Sequence, residues 1–232
     1  MFVLQDFNVF YGPSHVVHGV SLEVREGDAV ALIGRNGVGK TTLLKGIMSL
    51  VPDTSGVKQF DGRDILLYKP YEIAKLGISY VPEHRGIFPY LTVRENLFLG
   101  LANSRDRQKG VPREIYEAMP ILEERGAQLA GTLSGGEQQI LAIARGFAGR
   151  PRLMLIDEFS EGIQPTIVQD IAAYIQRINA QGVGILIVEQ NARLALKIAS
   201  RGYVMEKGQI VAHGSSEDLL ADETLLQKHL VI

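Results

Sequence analysis

The run "DAVALIGRNGVGKTTLLKGIMSL", Asp28 to Leu50, leaves the chain few ways to fold. A short continuous apolar segment enters a glycine-rich loop, and a stretch with helical spacing leaves it. Inside it, "GRNGVGKT", Gly34 to Thr41, fits G-x-x-x-x-G-K-[ST] in the strand-to-helix context that gives this motif its meaning. Gly34, Gly37 and Gly39 let the backbone curl, so that N–H groups from Gly34 through Arg35, Asn36 and Val38 to Gly39 turn toward phosphate oxygens at the positive end of a helix. Lys40 adds a mobile charge for the β- and γ-phosphates, the Thr41 hydroxyl is a magnesium ligand, and Thr42 is a further phosphate contact.

The remaining rhythm suits one α/β unit. "FVLQDFNVFY" and "VVHGVSLEV" read as β near the N-terminus, and "GVKQFDG" as a further strand ending in a turn. From about Tyr71 to Arg125 the chain reads as helical, with Pro120 marking a break. Beyond Ser134 helices and strands alternate: "LMLID" and "GILIVE" are fully apolar, and Ile167, Val168, Ile171, Tyr174, Ile175 and Ile178 keep helical spacing between them. "GYVMEKGQIVAHG" reads as a hairpin around Lys207-Gly208. Alternation of this kind predicts a mostly parallel sheet covered on both sides. Residues 1–232 then form a single domain, with roughly 1–80 and 150–232 as the α/β core, an antiparallel β part at its N-terminal end, and roughly 84–149 as an inserted helical subdomain.

Two further segments carry chemistry. "LMLIDE", Leu153 to Glu158, is an apolar strand ending in two carboxylates. A magnesium nucleotide needs one carboxylate near the metal, a role for Asp157, and a group to orient the attacking water, a role for Glu158 as general base. "LSGGEQ" raises a different question. Ser134 and Glu137 fit a capping box for the following helix. Capping gives no reason for Gly135 and Gly136, which cost conformational entropy unless a backbone must approach something closely.

The three motifs in this order, "GRNGVGKT", "LSGGEQ" and "LMLIDE", resemble the ATPases of ABC transporters over essentially the whole chain. That resemblance implies a P-loop ATPase using ATP and Mg2+. It also implies that Ser134, Gly135, Gly136 and Glu137 of one subunit close over the γ-phosphate held by Lys40 of a second, head-to-tail ATPase subunit. Tyr11 in "FYG" matches the aromatic that stacks on adenine, with a plain strand-end aromatic as the alternative. Glu83, in the segment "VPEHRGIFPYLTVREN", matches a position that contacts magnesium, and Gln190 in "VEQN" matches the switch position that contacts the γ-phosphate. The apolar "GIFPYLT" suits either docking on a membrane subunit or packing of Ile87, Phe88 and Leu91 beneath the helical part.

The chain departs from the family pattern at Glu83, where Gln is usual, at Gln190, where His is usual, at Phe159, where Pro is usual, and at Gln164, where Asp is usual. Carboxylate remains a hard ligand for magnesium, and a Gln amide can hydrogen-bond phosphate but cannot carry charge. Glu83 and "VEQNA" resemble one of the two unlike ATPase subunits of branched-chain and hydrophobic amino-acid importers, and "GIQPTIVQDI" resembles the urea and short-amide branch of that group. Implied partners are transmembrane permeases and, through them, a periplasmic solute-binding protein. The implied location is cytoplasmic, peripheral on the inner face of the cell membrane.

Composition agrees by exclusion. The formal net charge of −2 offers no basic footprint for nucleic acid. The absence of cysteine removes disulfide and thiolate chemistry. "MFVLQDFNVFYG" is not a signal peptide, and no apolar run approaches the ~20 residues of a membrane span. A small-molecule P-loop kinase would have no use for "LSGGEQ". An ABC-type ATPase that acts apart from a membrane, or an importer for another small solute, stays open as an alternative.

Overall fold

Strand β3 (Ala29–Ile33) is buried at every position, and its side chains divide between two cores. Ala29, Ala31 and Ile33 face one hydrophobic cluster, Val30 and Leu32 the other. The strands β7 (Leu153–Asp157) and β8 (Gly184–Glu189) divide in the same way, which is why all three read as unbroken apolar runs. The computed structural model describes residues 1–102, 107–222 and 224–225.

Among the described residues the central sheet has six strands, in the order β10 (Gln209–Ser215), β9 (Arg201–Glu206), β3, β8, β7 and β6 (Ile78–Val81). Strands β6, β7, β8, β3 and β9 run parallel, and β10 closes the edge antiparallel through the expected turn at Lys207-Gly208. One face is covered by α6 (Gly135–Ala148), α7 (Pro165–Asn179) and α8 (Ala192–Ile198). The other is covered by α1 (Lys40–Ile47) and by an antiparallel sheet ordered β2-β1-β4-β5, made of β1 (Phe2–Tyr11), β2 (Ser14–Val24), β4 (Asp53–Phe60) and β5 (Arg63–Asp64).

Helices α2 (Pro70–Lys75), α3 (Val93–Leu99), α4 (Arg113–Ala118) and α5 (Ile121–Glu124) occupy the middle of the chain. Pro120 sits at the break between α4 and α5. One expectation for this region fails. The middle is not helical throughout, because Ile78–Val81 forms β6, the edge strand of the central sheet. Four residues with only the first and last buried give no periodic signal, so pairing with β7 decides the matter.

A buried lysine joins the two layers. Lys58 of β4 donates from Nζ to the carbonyl oxygens of Gly46 at 3.3 Å and Ile47 at 3.2 Å, and to Ser49 Oγ at 2.8 Å. It thereby satisfies the last turn of α1, where a cation also complements the helix dipole. Burial pulls its ammonium from 10.5 down to about 8, against the opposing Asp64 carboxylate. Between those values the unfolded chain binds more protons than the folded one, so Lys58 makes stability rise with pH across that window. Urea unfolding followed from pH 8 to 10 should show a steeper rise for wild type than for Lys58→Met. Equal slopes would mean that folding does not lower the Lys58 pKa.

Candidate nucleotide site

The phosphate loop leaves β3 and enters α1 through Gly39, whose φ of +108° no side-chain-bearing residue adopts without strain. Lys40 is only 3% exposed. Its Nζ donates to the carbonyl oxygens of Gly34 at 2.9 Å and Arg35 at 3.0 Å, and lies 3.0 Å from Glu158 Oε1. The loop therefore folds around its own cation, while Arg35, Asn36 and Gly37 are exposed and Thr42 is half-buried.

Behind the lysine, Thr41 Oγ1 donates to Asp157 Oδ1 at 3.1 Å. The Tyr80 hydroxyl donates to Asp157 Oδ2, also at 3.1 Å. Asp157 is fully buried, and that burial pushes its carboxyl up to about 6 against the two hydrogen bonds that hold it down. A hydroxyl and a carboxylate side by side form the hard-oxygen donor pair that a magnesium ion requires, so these residues fit the ion. Glu83, Glu158 and Glu161 bring carboxylate oxygens within 4.8 Å of one another around the same end of β7.

Glu158 sits at φ +40°, an uncommon conformation for a residue with a side chain, and its N–H donates to the Val188 carbonyl at 2.8 Å. The chain then buries Phe159 completely, and Ser160 donates from N and Oγ to Glu189 Oε1 and Oε2 at 3.0 and 2.9 Å. Burial pushes the Glu189 carboxyl up to about 7. Gln190, the next residue, is half-buried at the end of β8, and Asn191 caps α8 through Leu194 N at 3.1 Å. Tyr11 ends β1 opposite Ser14 and is 46% exposed, so it is not a core residue.

The second glycine-containing loop has other neighbours. Ser134 is exposed and accepts from Glu137 N at 3.3 Å, while Glu137 Oε2 accepts from Ser134 N at 2.8 Å, completing the expected capping box of α6. Gly136 also has a reason inside the chain, which the sequence reading did not supply. A Cβ on Gly136 would lie 2.7 Å from Ile167 Cδ1 of α7, and one on Gly135 would lie 3.2 Å from Arg85 Nη2. Of "GIFPYLT", Ile87 packs against the core, whereas Phe88 is 50% and Tyr90 89% exposed.

The ABC transporter family profile matches residues 17–161. The chain belongs to the ABC transporter ATPase family. It is 40% identical over 224 residues to the high-affinity branched-chain amino acid transport ATP-binding protein BraG of Pseudomonas aeruginosa, spanning 96% of both chains. It is 34% identical over 224 residues to the lipopolysaccharide export system ATP-binding protein LptB of Escherichia coli K12, spanning 95% of this chain and 92% of that one. A nucleotide-free ATP-binding cassette from an ABC transporter superposes with a TM-score of 0.81 at 26% identity, covering 98% of this chain and 97% of that chain.

This ABC cassette is an ATP-binding, ATP-hydrolysing subunit of a transporter, as the three motifs led one to expect. ABC ATPase subunits work with transmembrane permease components, and among the described residues no helix is long and apolar enough to cross a membrane. Sequence reasoning missed Tyr80, Glu161 and the Ser160–Glu189 pair. Tyr80 was hidden with its strand. Glu161 lay three residues past Glu158 and was open to notice as a third carboxylate.

Proposed function

We propose that this chain powers import of branched-chain or other hydrophobic amino acids, or of urea and short amides, from the inner face of the cell membrane. The observation that carries the reading is the 40% identity to BraG over nearly the full length of both chains. The mechanism follows from the residues. Lys40 leaves Glu158 for the β- and γ-phosphates, with the N–H groups of Gly34 to Gly39 and the hydroxyls of Thr41 and Thr42 around the same phosphates. Tyr11 stacks on adenine. Thr41, Asp157 and Glu83 hold magnesium, which when bound offsets phosphate charge. Glu158, released from Lys40, orients the attacking water, and Gln190 donates to the γ-phosphate.

Ser134, Gly135, Gly136 and Glu137 complete the site of a second ATPase subunit, like or unlike. Closure of that pair moves the permease, to which a periplasmic binding protein delivers solute. Permease docking is supported by a cavity of about 560 Å³ between α2–β6 and α3–α6, lined by Tyr80, Phe88, Leu99 and Arg145. Phe88 in its lining and Tyr90, two residues further along the chain, offer exposed apolar surface.

The 34% identity to LptB favours a second reading, export of a lipid-like cargo. Uptake of labelled leucine and labelled urea in cells lacking this chain, with and without complementation, separates the two. Import predicts that one uptake falls to background and returns with the wild-type chain but not with Glu158→Gln. Unchanged uptake of both solutes would sink the import reading.

A further inference from the structure

Two loops assigned above to different nucleotides touch inside one chain. Arg85 lies two residues after Glu83, whose carboxylate shares the end of β7 with Glu158. Its guanidinium reaches the other way. Arg85 Nη1 donates to Gln138 Oε1 at 3.1 Å, and Gln138 Nε2 donates in turn to the Leu133 carbonyl at 3.1 Å, one residue before Ser134. The guanidinium also lies close against Gly135, where a Cβ would approach Nη2 to 3.2 Å. One planar group therefore bonds the last residue of "LSGGEQ" and lies against its first glycine.

The backbone that carries Arg85 is firmly held. Arg85 itself stands at φ +66°, a conformation that surroundings must enforce in a residue with a side chain. Its N–H donates to the Pro82 carbonyl at 2.8 Å, and Gly86 N donates to the His84 carbonyl at 2.7 Å. Arg145 Nη2 of α6 donates to the Arg85 and Gly86 carbonyls at 3.3 and 2.8 Å. Buried Asn96 fixes the far side, accepting from Phe88 N at 2.9 Å and donating to Phe88 O at 3.0 Å. A turn pinned at this many points moves as a body rather than absorbing a displacement of Glu83.

We propose that Arg85 is a positioning residue that transmits occupancy of the chain's own nucleotide site, felt at Glu83, to the signature loop this chain presents to its partner. The proposal rests on the reading of Ser134, Gly135 and Gly136 as serving a second nucleotide. Arg85 does not touch ATP. It sets the place of the Leu133–Gly136 backbone through the Gln138 amide and through contact with Gly135. In a closed pair each chain then offers a well-placed signature loop only after filling its own site, which links the two sites by a coupling free energy.

Hydrogen exchange with mass spectrometry tests this within one chain. The full chain is diluted until light scattering shows monomer, with and without Mg2+ and a β,γ-imido analogue of ATP. Peptides covering 34–42 and 132–139 are compared in wild type, Arg85→Ala, Gln138→Leu and Arg85→Lys. In wild type the analogue should slow exchange in both peptides, by about five-fold or more in the second. In Arg85→Ala and Gln138→Leu the response at 34–42 should persist, while that at 132–139 falls below about two-fold. Arg85→Lys, which keeps a donor toward Gln138, should recover part of it. A mere structural staple would raise basal exchange at 132–139 and leave the response to the analogue in place.

Overturning results are separable. An equal response at 132–139 in all variants, or none in wild type with 34–42 protected, removes the link and leaves the ATPase assignment standing. No protection at 34–42 in wild type removes both. Because Gln138→Leu breaks the contact from the opposite side, a folding defect in Arg85→Ala does not protect the idea from refutation.

Discussion

Lys40→Ala is expected to lose ATP affinity by on the order of 100-fold, the worth of two charge-assisted hydrogen bonds at about 1.4 kcal/mol each. It should also lose stability without any ligand. Lys40 Nζ lies 3.0 Å from Glu158 Oε1, and both side chains are nearly excluded from water. Removing one partner of a buried pair strands the other, at a cost of about 3–5 kcal/mol. The carbonyl oxygens of Gly34 and Arg35 lose their donor as well. The double variant Lys40→Ala with Glu158→Gln then separates the two losses, since it no longer buries an unpaired charge. It should recover most of the stability and none of the affinity. Titration with a fluorescent ATP analogue and urea unfolding give the two readouts. Normal affinity in Lys40→Ala would remove the phosphate-loop assignment. Unchanged stability would show that the Lys40–Glu158 pair does not form in solution.

What the sequence disclosed and what it hid divide along a physical line. The phosphate loop, the acidic strand end and the capping box are local: spacing along the chain places Lys40, Asp157, Ser134 and Glu137 before any tertiary contact is known. The fully apolar β3, β7 and β8 are legible for a similar reason, because a strand covered on both faces has no polar position to spare. Pro120 and Lys207-Gly208 are legible as breakers. By contrast, β6 is four residues long and carries no period, so Tyr80 could not be placed on Asp157. Nothing in the spacing of β4 marks Lys58 as buried, and only the end of α1 explains its burial. The two signature glycines were read as demanding a ligand. Gly136 has a further reason that spacing along the chain does not show, the close approach of Ile167 from α7. Apart from Glu161, which local spacing could have shown, the missed features depend on contacts between residues far apart in the chain, and no spacing rule encodes those.

Glu158→Gln is expected to bind ATP and to lose turnover by about 10²–10⁴-fold, the usual worth of a positioned general base. The structure adds a second expectation. In wild type, nucleotide binding must draw Lys40 away from a carboxylate it holds at 3.0 Å; a Gln amide keeps the shape without the ion pair. The variant should therefore bind ATP more tightly than wild type, because less is given up when Lys40 turns to phosphate. Trapped in the bound state, it should form a dimer with ATP and not with ADP, and adding Ser134→Arg should abolish that dimer, because a bulky cation would replace the exposed serine at the tip of the signature loop. Light scattering and single-turnover hydrolysis read both effects. Retained turnover would move the base to another carboxylate, with Glu83 first because it shares the cluster with Glu158. A monomer under all conditions, repeated with the unlike ATPase subunit present, would leave the phosphate loop intact and remove the account of the second loop. Tighter ATP binding without a dimer would place the Lys40–Glu158 pair in control of nucleotide entry alone, which is a property of this chain and independent of any partner.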